Sequence, residues 1–156
     1  MKIKIMSRKA IEKLSASPFE ESTALISITD AGYTFANLQN PPAKLLQVAF
    51  DDVDNDIFKD ELGSSENKEE YLKFEKKYNM LTDNQASEIA DFIKSAFDSC
   101  EVIICQCEHG QSRSAAVAAA ILEYKNKSGI TVFADDRYYP NKVVFRKVLK
   151  ALKSLK

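Results

Sequence analysis

Residues 103–114 read IICQCEHGQSRS: two cysteines, the single histidine of the chain and an arginine, all within a few positions behind an apolar run. Four kinds of chemistry compete for such a stretch. Zinc would take Cys100, Cys105, Cys107 and His109, but structural zinc sites favour paired ligands at C-x2-4-C spacing, and one of these cysteines falls inside a strand-like run. A disulfide between Cys105 and Cys107 has poor geometry, because alternate strand residues point the same way at too great a separation for relaxed bonding. A transient redox partnership of Cys107 with another cysteine stays open. The plainest reading makes Cys107 a small buried hydrophobe at a strand end and Arg113 a surface residue.

The remaining reading starts from position. Cys107 closes a predicted central strand, Gly110 sits in the tight loop that follows, and Arg113 falls in the first turn of a predicted helix. Successive backbone N–H groups of such a loop converge on one point, the helix N-terminus adds partial positive charge, and glycine lets the backbone approach closely. Arg113 offers a planar fork for two oxygens of a phosphate. The same field favours sulfur in its thiolate form, so nucleophile and oxyanion cradle share one loop. The chemistry it suits is attack of sulfur on phosphorus, a covalent route that needs no metal and no cofactor. C-x5-R alone is a weak pattern; the strand before, the glycine within and the helix after supply the context the mechanism requires.

The elements that must position this loop follow from periodicity. KIKIMS alternates like a strand, and SRKAIEKLS is a short helical pattern with Ser7 as its cap. TALISIT predicts a buried strand closed by the turn-prone DAGY, and AKLLQVAF a further strand running into the acidic DDVDND. The polar ELGSSENKEEYLKFEKKYN, residues 61–79, predicts an exposed loop and a surface helix, a solvated face. Thr82 and Gln85 stand at capping-box spacing and open a helix with Ala86, Ile89, Ala90, Ile93 and Phe97 on its apolar face. EVIIC predicts a central strand covered on both sides, and AAVAAAILEY a small-residue helix suited to close packing on a sheet. After ITVFAD and YYP, a last amphipathic helix starts at Asn141, with Val144, Val148, Leu152 and Leu155 along one stripe. Strands alternating with helices predict an α/β layered fold.

At 156 residues, with 45% hydrophobic and 29% charged residues, the chain has the proportions of one compact domain spanning 1–156. Lysines and arginines number 22 against 23 acidic residues, a formal charge of -1, so no global basic field collects nucleic acid or anionic membrane. An anionic substrate must be held by a local site. The start MKIKIMSRKAIEKL has no signal-peptide core and no run approaches membrane-spanning length, which makes a cytoplasmic protein the expectation. Three cysteines crowded into one segment form a poor disulfide framework and fit a reducing compartment.

CEHGQSRSAAVAAAIL resembles the signature of the cysteine-dependent protein tyrosine and dual-specificity phosphatases, C-x5-R followed by Ser or Thr, and the G-x-S-R-S form is similar to the compact dual-specificity branch and its small bacterial relatives. ISITD, VAFDD, LTDNQASEIADFI and PNKVVFRKVL extend the resemblance over most of the chain. It implies a central, mostly parallel sheet flanked by helices, with Cys107 as nucleophile and Arg113 as phosphate clamp. Ser114 matches the hydroxyl that bonds the sulfur and helps it leave. Glu108, His109, Gly110, Gln111, Ser112 and Arg113 form the phosphate-binding loop. A carboxylic acid must protonate the leaving oxygen, and the resemblance puts it in AFDDVDND, with Asp52 preferred, then Asp51, then Asp54.

The chain departs from that pattern at Gln106, where relatives carry a histidine that tunes the nucleophile. His109 falls at a variable position, as a rim residue touching substrate choice. Phosphoinositide-directed relatives carry lysines in this loop, whereas Glu108 is expected to repel a polyanionic headgroup. The expected substrate is therefore a phosphorylated protein, foremost at tyrosine and alternatively at serine or threonine. Two rival expectations are a phosphate-binding module without turnover and an enzyme for a non-protein phosphate ester. Oligomeric state has no signal in the sequence.

Overall fold

The computed structural model of the chain describes residues 1–53 and 67–154; Asp54, Leu155 and the first part of the polar stretch, 61–66, lie outside the described residues. Four strands, β1 (Lys2–Ser7), β2 (Thr23–Thr29), β3 (Lys44–Ala49) and β4 (Val102–Cys107), form one sheet in the order β1-β4-β2-β3, with every pair parallel. Six helices are described: α1 (Arg8–Leu14), α2 (Lys68–Lys77), α3 (Asp83–Phe97), α4 (Arg113–Asn126), α5 (Ile130–Phe133) and α6 (Lys142–Ser154).

The sequence patterns follow from place in the sheet. β2 is buried at every residue and β4 at all but Val102, which is why TALISIT and VIICQC are continuous runs instead of alternating ones. β1 lies at an edge, and its first residues alternate between exposed lysines and half-buried isoleucines. Alternate residues then serve two layers. Ala24, Ile26, Ile28, Ile103, Cys105 and Cys107 join the core formed with α3, α4 and α6, while Leu25 and Ile104 meet Ile11 of α1 and Ala36 on the opposite side. α4 is buried from Arg113 through Ile121, its alanines allowing close approach to the sheet. ITVF adds no strand; it folds as the short α5.

Two local arrangements aim loops at the C-terminal ends of the strands. The capping box of α3 forms in full, Thr82 Oγ1 accepting from Gln85 N at 3.1 Å and Gln85 Oε1 from Thr82 N at 3.0 Å. Gln85 Nε2 also donates to Ala49 O at 2.9 Å, so this cap fixes the end of β3, where the acidic segment departs. In α2 the expectation of a solvated face fails in part, because Phe74 and Glu75 are buried. Phe74 packs with Val53 and Met80, and Glu75 holds Lys147 of α6 at 2.8 Å, both side chains about one-tenth exposed. Lys147 Nζ also donates to Leu81 O at 2.6 Å. No helix among the described residues is long and apolar enough to cross a membrane.

Glu75→Ala leaves the Lys147 ammonium in its buried place with only the exposed Asp83 carboxylate at 4.0 Å, and removing the buried member of the pair costs about 3 kcal/mol. The urea unfolding midpoint should fall accordingly with an unchanged slope. A cost below about 1 kcal/mol would mean that the pair behaves as a solvated one.

Candidate active site

The chain leaves β4 at Cys107, turns through 108–112 and enters α4 at Arg113. Cys107 is 2% exposed, and its Sγ lies 3.1 Å from Ser114 Oγ. Gly110 adopts φ +68°, and a Cβ there would stand 2.7 Å from Ser7 N and 2.8 Å from the Met6 carbonyl carbon. Only glycine satisfies both the backbone angle and the close approach to the β1–α1 junction. The loop's carbonyls are held outward: Glu108 O accepts from Arg8 N, Gln111 O from Tyr139 N, and Ser112 O from Asn141 N and Ala116 N. Among the described residues, the amides of 109–112 meet no protein acceptor. Amides without a protein acceptor at the N-terminus of a fourteen-residue helix offer the donors and the partial positive charge that an anion nest requires.

Arg113 belongs to this nest. Its guanidinium is almost fully buried, with Nη1 donating to Phe50 O at 2.7 Å and lying 2.7 Å from Asp30 Oδ1 in an ion pair. Nε is buried without any partner. A buried unsatisfied donor costs on the order of 1–3 kcal/mol, and here it sits on a side chain anchored through a different nitrogen. An oxyanion above the loop is a natural acceptor for it.

Asp52 and Asp51, adjacent in sequence, part company in space. Asp52 Oδ1 accepts from Ser112 Oγ at 2.8 Å and from Asn141 Nδ2 at 2.7 Å, which brings its carboxylate to the phosphate loop. Its Oδ2 has no bond among the described residues. Asp51 Oδ1 instead accepts from Ala31 N at 2.9 Å and holds the turn after β2. Asn141 is buried and serves two ends: Oδ1 caps α6 through Val144 N, while Nδ2 holds Asp52 and Val53 O.

Gln106 is fully buried beneath the loop, accepting from Ser27 Oγ at 2.5 Å and donating from Nε2 to Cys107 O at 3.0 Å. It ties the central strand β2 to the carbonyl of the cysteine itself, through the residue that faces it in the parallel register. His109 is exposed at the rim. Glu108 pairs with Arg8 at 2.7 Å, so the repulsion expected of its carboxylate is offset by a neighbouring cation. Cys100 and Cys105 are buried free thiols. Burial first, and the Cys107 sulfur second, push the Cys105 thiol far above the ordinary range, which keeps it protonated and out of nucleophilic chemistry. Among the described residues no group of three or more His, Cys, Asp or Glu side chains could hold a metal ion.

The structure thus brings together Cys107, Ser114, Arg113, Asp52 and the 108–112 loop, and turns Asp51 away. Sequence reasoning missed Asp30, Asn141 and Arg8 as parts of the site. Asn141 carried a signal, an asparagine three residues before Val144, the first residue of the apolar stripe of α6. The ion pair of Asp30 with Arg113 spans most of the chain and left none.

Gly110→Ala should push the loop off Ser7 and misaim its amides. The expected result is at least about tenfold weaker binding of tungstate by calorimetry in a protein that remains folded. Unchanged affinity would show that the close approach is not what shapes the nest.

No family model and no curated protein matches this sequence. Solved structures do. Human DUSP28 aligns over 97% of this chain and 92% of its own, at 16% identity and a TM-score of 0.52. A mouse protein described as a dual specificity phosphatase, solved with zinc tungstate, aligns over 96% of this chain and 82% of its own, at 16% identity and a TM-score of 0.53. With four parallel strands, helices on both sides and the cysteine loop at the C-terminal end of β4, the chain has a dual-specificity phosphatase-like fold.

Proposed function

We propose that the protein is a cysteine-dependent phosphatase that hydrolyses phosphotyrosine in proteins through a cysteinyl-phosphate intermediate. The observation that carries this reading is the partnerless, buried Nε of Arg113, at the end of a loop that starts from Cys107 and whose 109–112 amides meet no protein acceptor among the described residues. Donors already fixed in place lower the barrier because they need no reorganisation as charge spreads over the transferred phosphoryl oxygens.

In the first step the Cys107 sulfur attacks phosphorus and the bond from phosphorus to the ester oxygen breaks. The departing oxygen takes a proton from the Asp52 carboxyl, whose Oδ1 is held by Ser112 and Asn141 while Oδ2 is left to carry that proton. In the second step Asp52 removes a proton from a water that attacks phosphorus, the sulfur–phosphorus bond breaks, and the Ser114 hydroxyl donates to the leaving sulfur across the present 3.1 Å contact. Two of the most exposed aromatic side chains, Tyr33 and Tyr139, are carried on segments bonded to the site, the turn bearing Asp30 and the irregular approach to Asn141. This supports an aryl phosphate over an alkyl one.

A second reading, a phosphate reader without turnover, is favoured by Gln106 standing where relatives place a tuning histidine. Metal-free hydrolysis of para-nitrophenyl phosphate separates the two. Wild type should turn over and Cys107→Ser should not, while the variant keeps its affinity for inorganic phosphate because the nest survives. Turnover that persists in Cys107→Ser excludes the covalent route, and a folded wild type that binds phosphate without turnover supports the reader.

Asp52→Asn should lower kcat by about 10²-fold on phenyl phosphate and far less on para-nitrophenyl phosphate, whose leaving group needs little protonation. Equal losses on both esters would remove Asp52 from the role of general acid.

A further inference from the structure

Arg8, the first residue of α1, reaches three separate segments with one side chain. Nε donates to Glu108 Oε2 at 2.7 Å, and Nη2 donates to Thr29 Oγ1 and to Thr34 O, both at 2.7 Å. Its own backbone amide donates to Glu108 O at 3.1 Å, so Arg8 grips Glu108 at both ends. Thr29 closes β2 and directly precedes Asp30, the anchor of Arg113. The residue before Arg8 is Ser7, against whose amide Gly110 is packed and which faces Cys107 in the parallel register. The β1–α1 junction is therefore a platform under the phosphate loop, and Arg8 links that loop to the wall that holds its arginine.

Charge adds to the geometry. Glu108 follows the cysteine directly, and without Arg8 its carboxylate would stand in the loop uncompensated, beside an incoming phosphate dianion. The other charged and titratable groups around it do not replace Arg8. Lys9, Glu12 and His109 line an open cleft of about 540 Å³ beside the loop together with Ser7, Arg8 and Glu108. Glu12 is turned to Asn37 N at 3.3 Å, Lys9 makes no ion pair among the described residues, and Asp30 is paired with Arg113.

We propose that Arg8 is a positioning residue of the phosphate loop, acting through Glu108: it neutralises that carboxylate and fixes the orientation of the loop relative to the end of β2. This rests on the phosphatase reading of the same site. The Arg8 and Glu108 side chains are 21% and 41% exposed, and ion pairs of that exposure contribute little to stability. Their effect belongs in phosphate binding and turnover, where small displacements of aligned donors weigh heavily.

The test is a double-mutant cycle of Arg8→Gln, Glu108→Gln and the double variant, read as kcat/KM on para-nitrophenyl phosphate, as orthovanadate affinity by calorimetry, and as Tm. Arg8→Gln should lose about tenfold in kcat/KM and in orthovanadate affinity with little change in Tm, Glu108→Gln should lose less, and the double variant should be no worse than Arg8→Gln. A folded Arg8→Gln protein that matches wild type in both readouts overturns the proposal. So does a double variant whose losses multiply, since Arg8 would then act independently of Glu108. If Arg8→Gln does not fold, Arg8→Lys with and without Glu108→Gln gives the same coupling. A wild type that binds orthovanadate without turnover refutes the phosphatase reading and leaves orthovanadate affinity across the cycle to decide the role of Arg8; a wild type that binds none overturns both.

Discussion

Among the described residues the amides of 109–112 meet no protein acceptor, while the carbonyls of Glu108, Gln111 and Ser112 are bonded to the protein. Two segments remote in sequence bond these carbonyls, the β1–α1 junction at Glu108 and the approach to α6 at Gln111 and Ser112, together with the adjoining first turn of α4 at Ser112. Each of those segments is fixed in turn by packing on the sheet. An anion nest is an unfavourable arrangement for an empty backbone, since its dipoles repel and its donors lack acceptors. It persists because the surrounding fold over-determines it, and α/β sheets gather such loops at the C-terminal ends of their strands.

Asp52 and Arg113 depend on the same framework from the other side. Arg113 can leave its Nε for a ligand because Phe50 O and Asp30 occupy Nη1. Phe50 and Asp52 belong to one short segment after β3, whose start is fixed by the Gln85 bond to Ala49 O and whose end is held by Asn141. The capping box of α3 and the cap of α6 thus do more than terminate helices. Both set the distance between the carboxylate and the loop, and the buried pair of Glu75 with Lys147 braces α2 against α6 beside them.

Much of this was visible in the sequence, for physical reasons that differ by element. β2, β4 and α3 declared themselves because burial on both faces and helical amphipathicity leave periodic traces. The loop was visible because its chemistry needs a cysteine, a glycine and an arginine at fixed local offsets, all within one strand–turn–helix unit. What stayed hidden was long-range. Nothing in SRKAIEKLS shows that Arg8 meets Glu108, nor does DAGY show that Asp30 meets Arg113. The burial of Phe74 and Glu75 in a stretch of lysines and glutamates was hidden for the same cause, because Phe74 packs on Val53 and Glu75 pairs with Lys147, both remote in sequence. Asp51 and Asp52 are equivalent in composition, and only the turn of the backbone after β3 separates a structural carboxylate from one at the loop.

The central claim is that the sulfur of Cys107 becomes covalently bonded to phosphorus. Rapid acid quench of the protein with a phosphotyrosine peptide, followed by mass spectrometry of the peptide spanning residues 101–113, tests it directly. The account predicts an added phosphoryl group on Cys107 within the first turnover, forming more slowly from this phenol ester when Asp52 is replaced by alanine. Steady release of phosphate from the peptide with Cys107 unmodified at every quench time, under conditions that preserve a phosphocysteine standard, would contradict it.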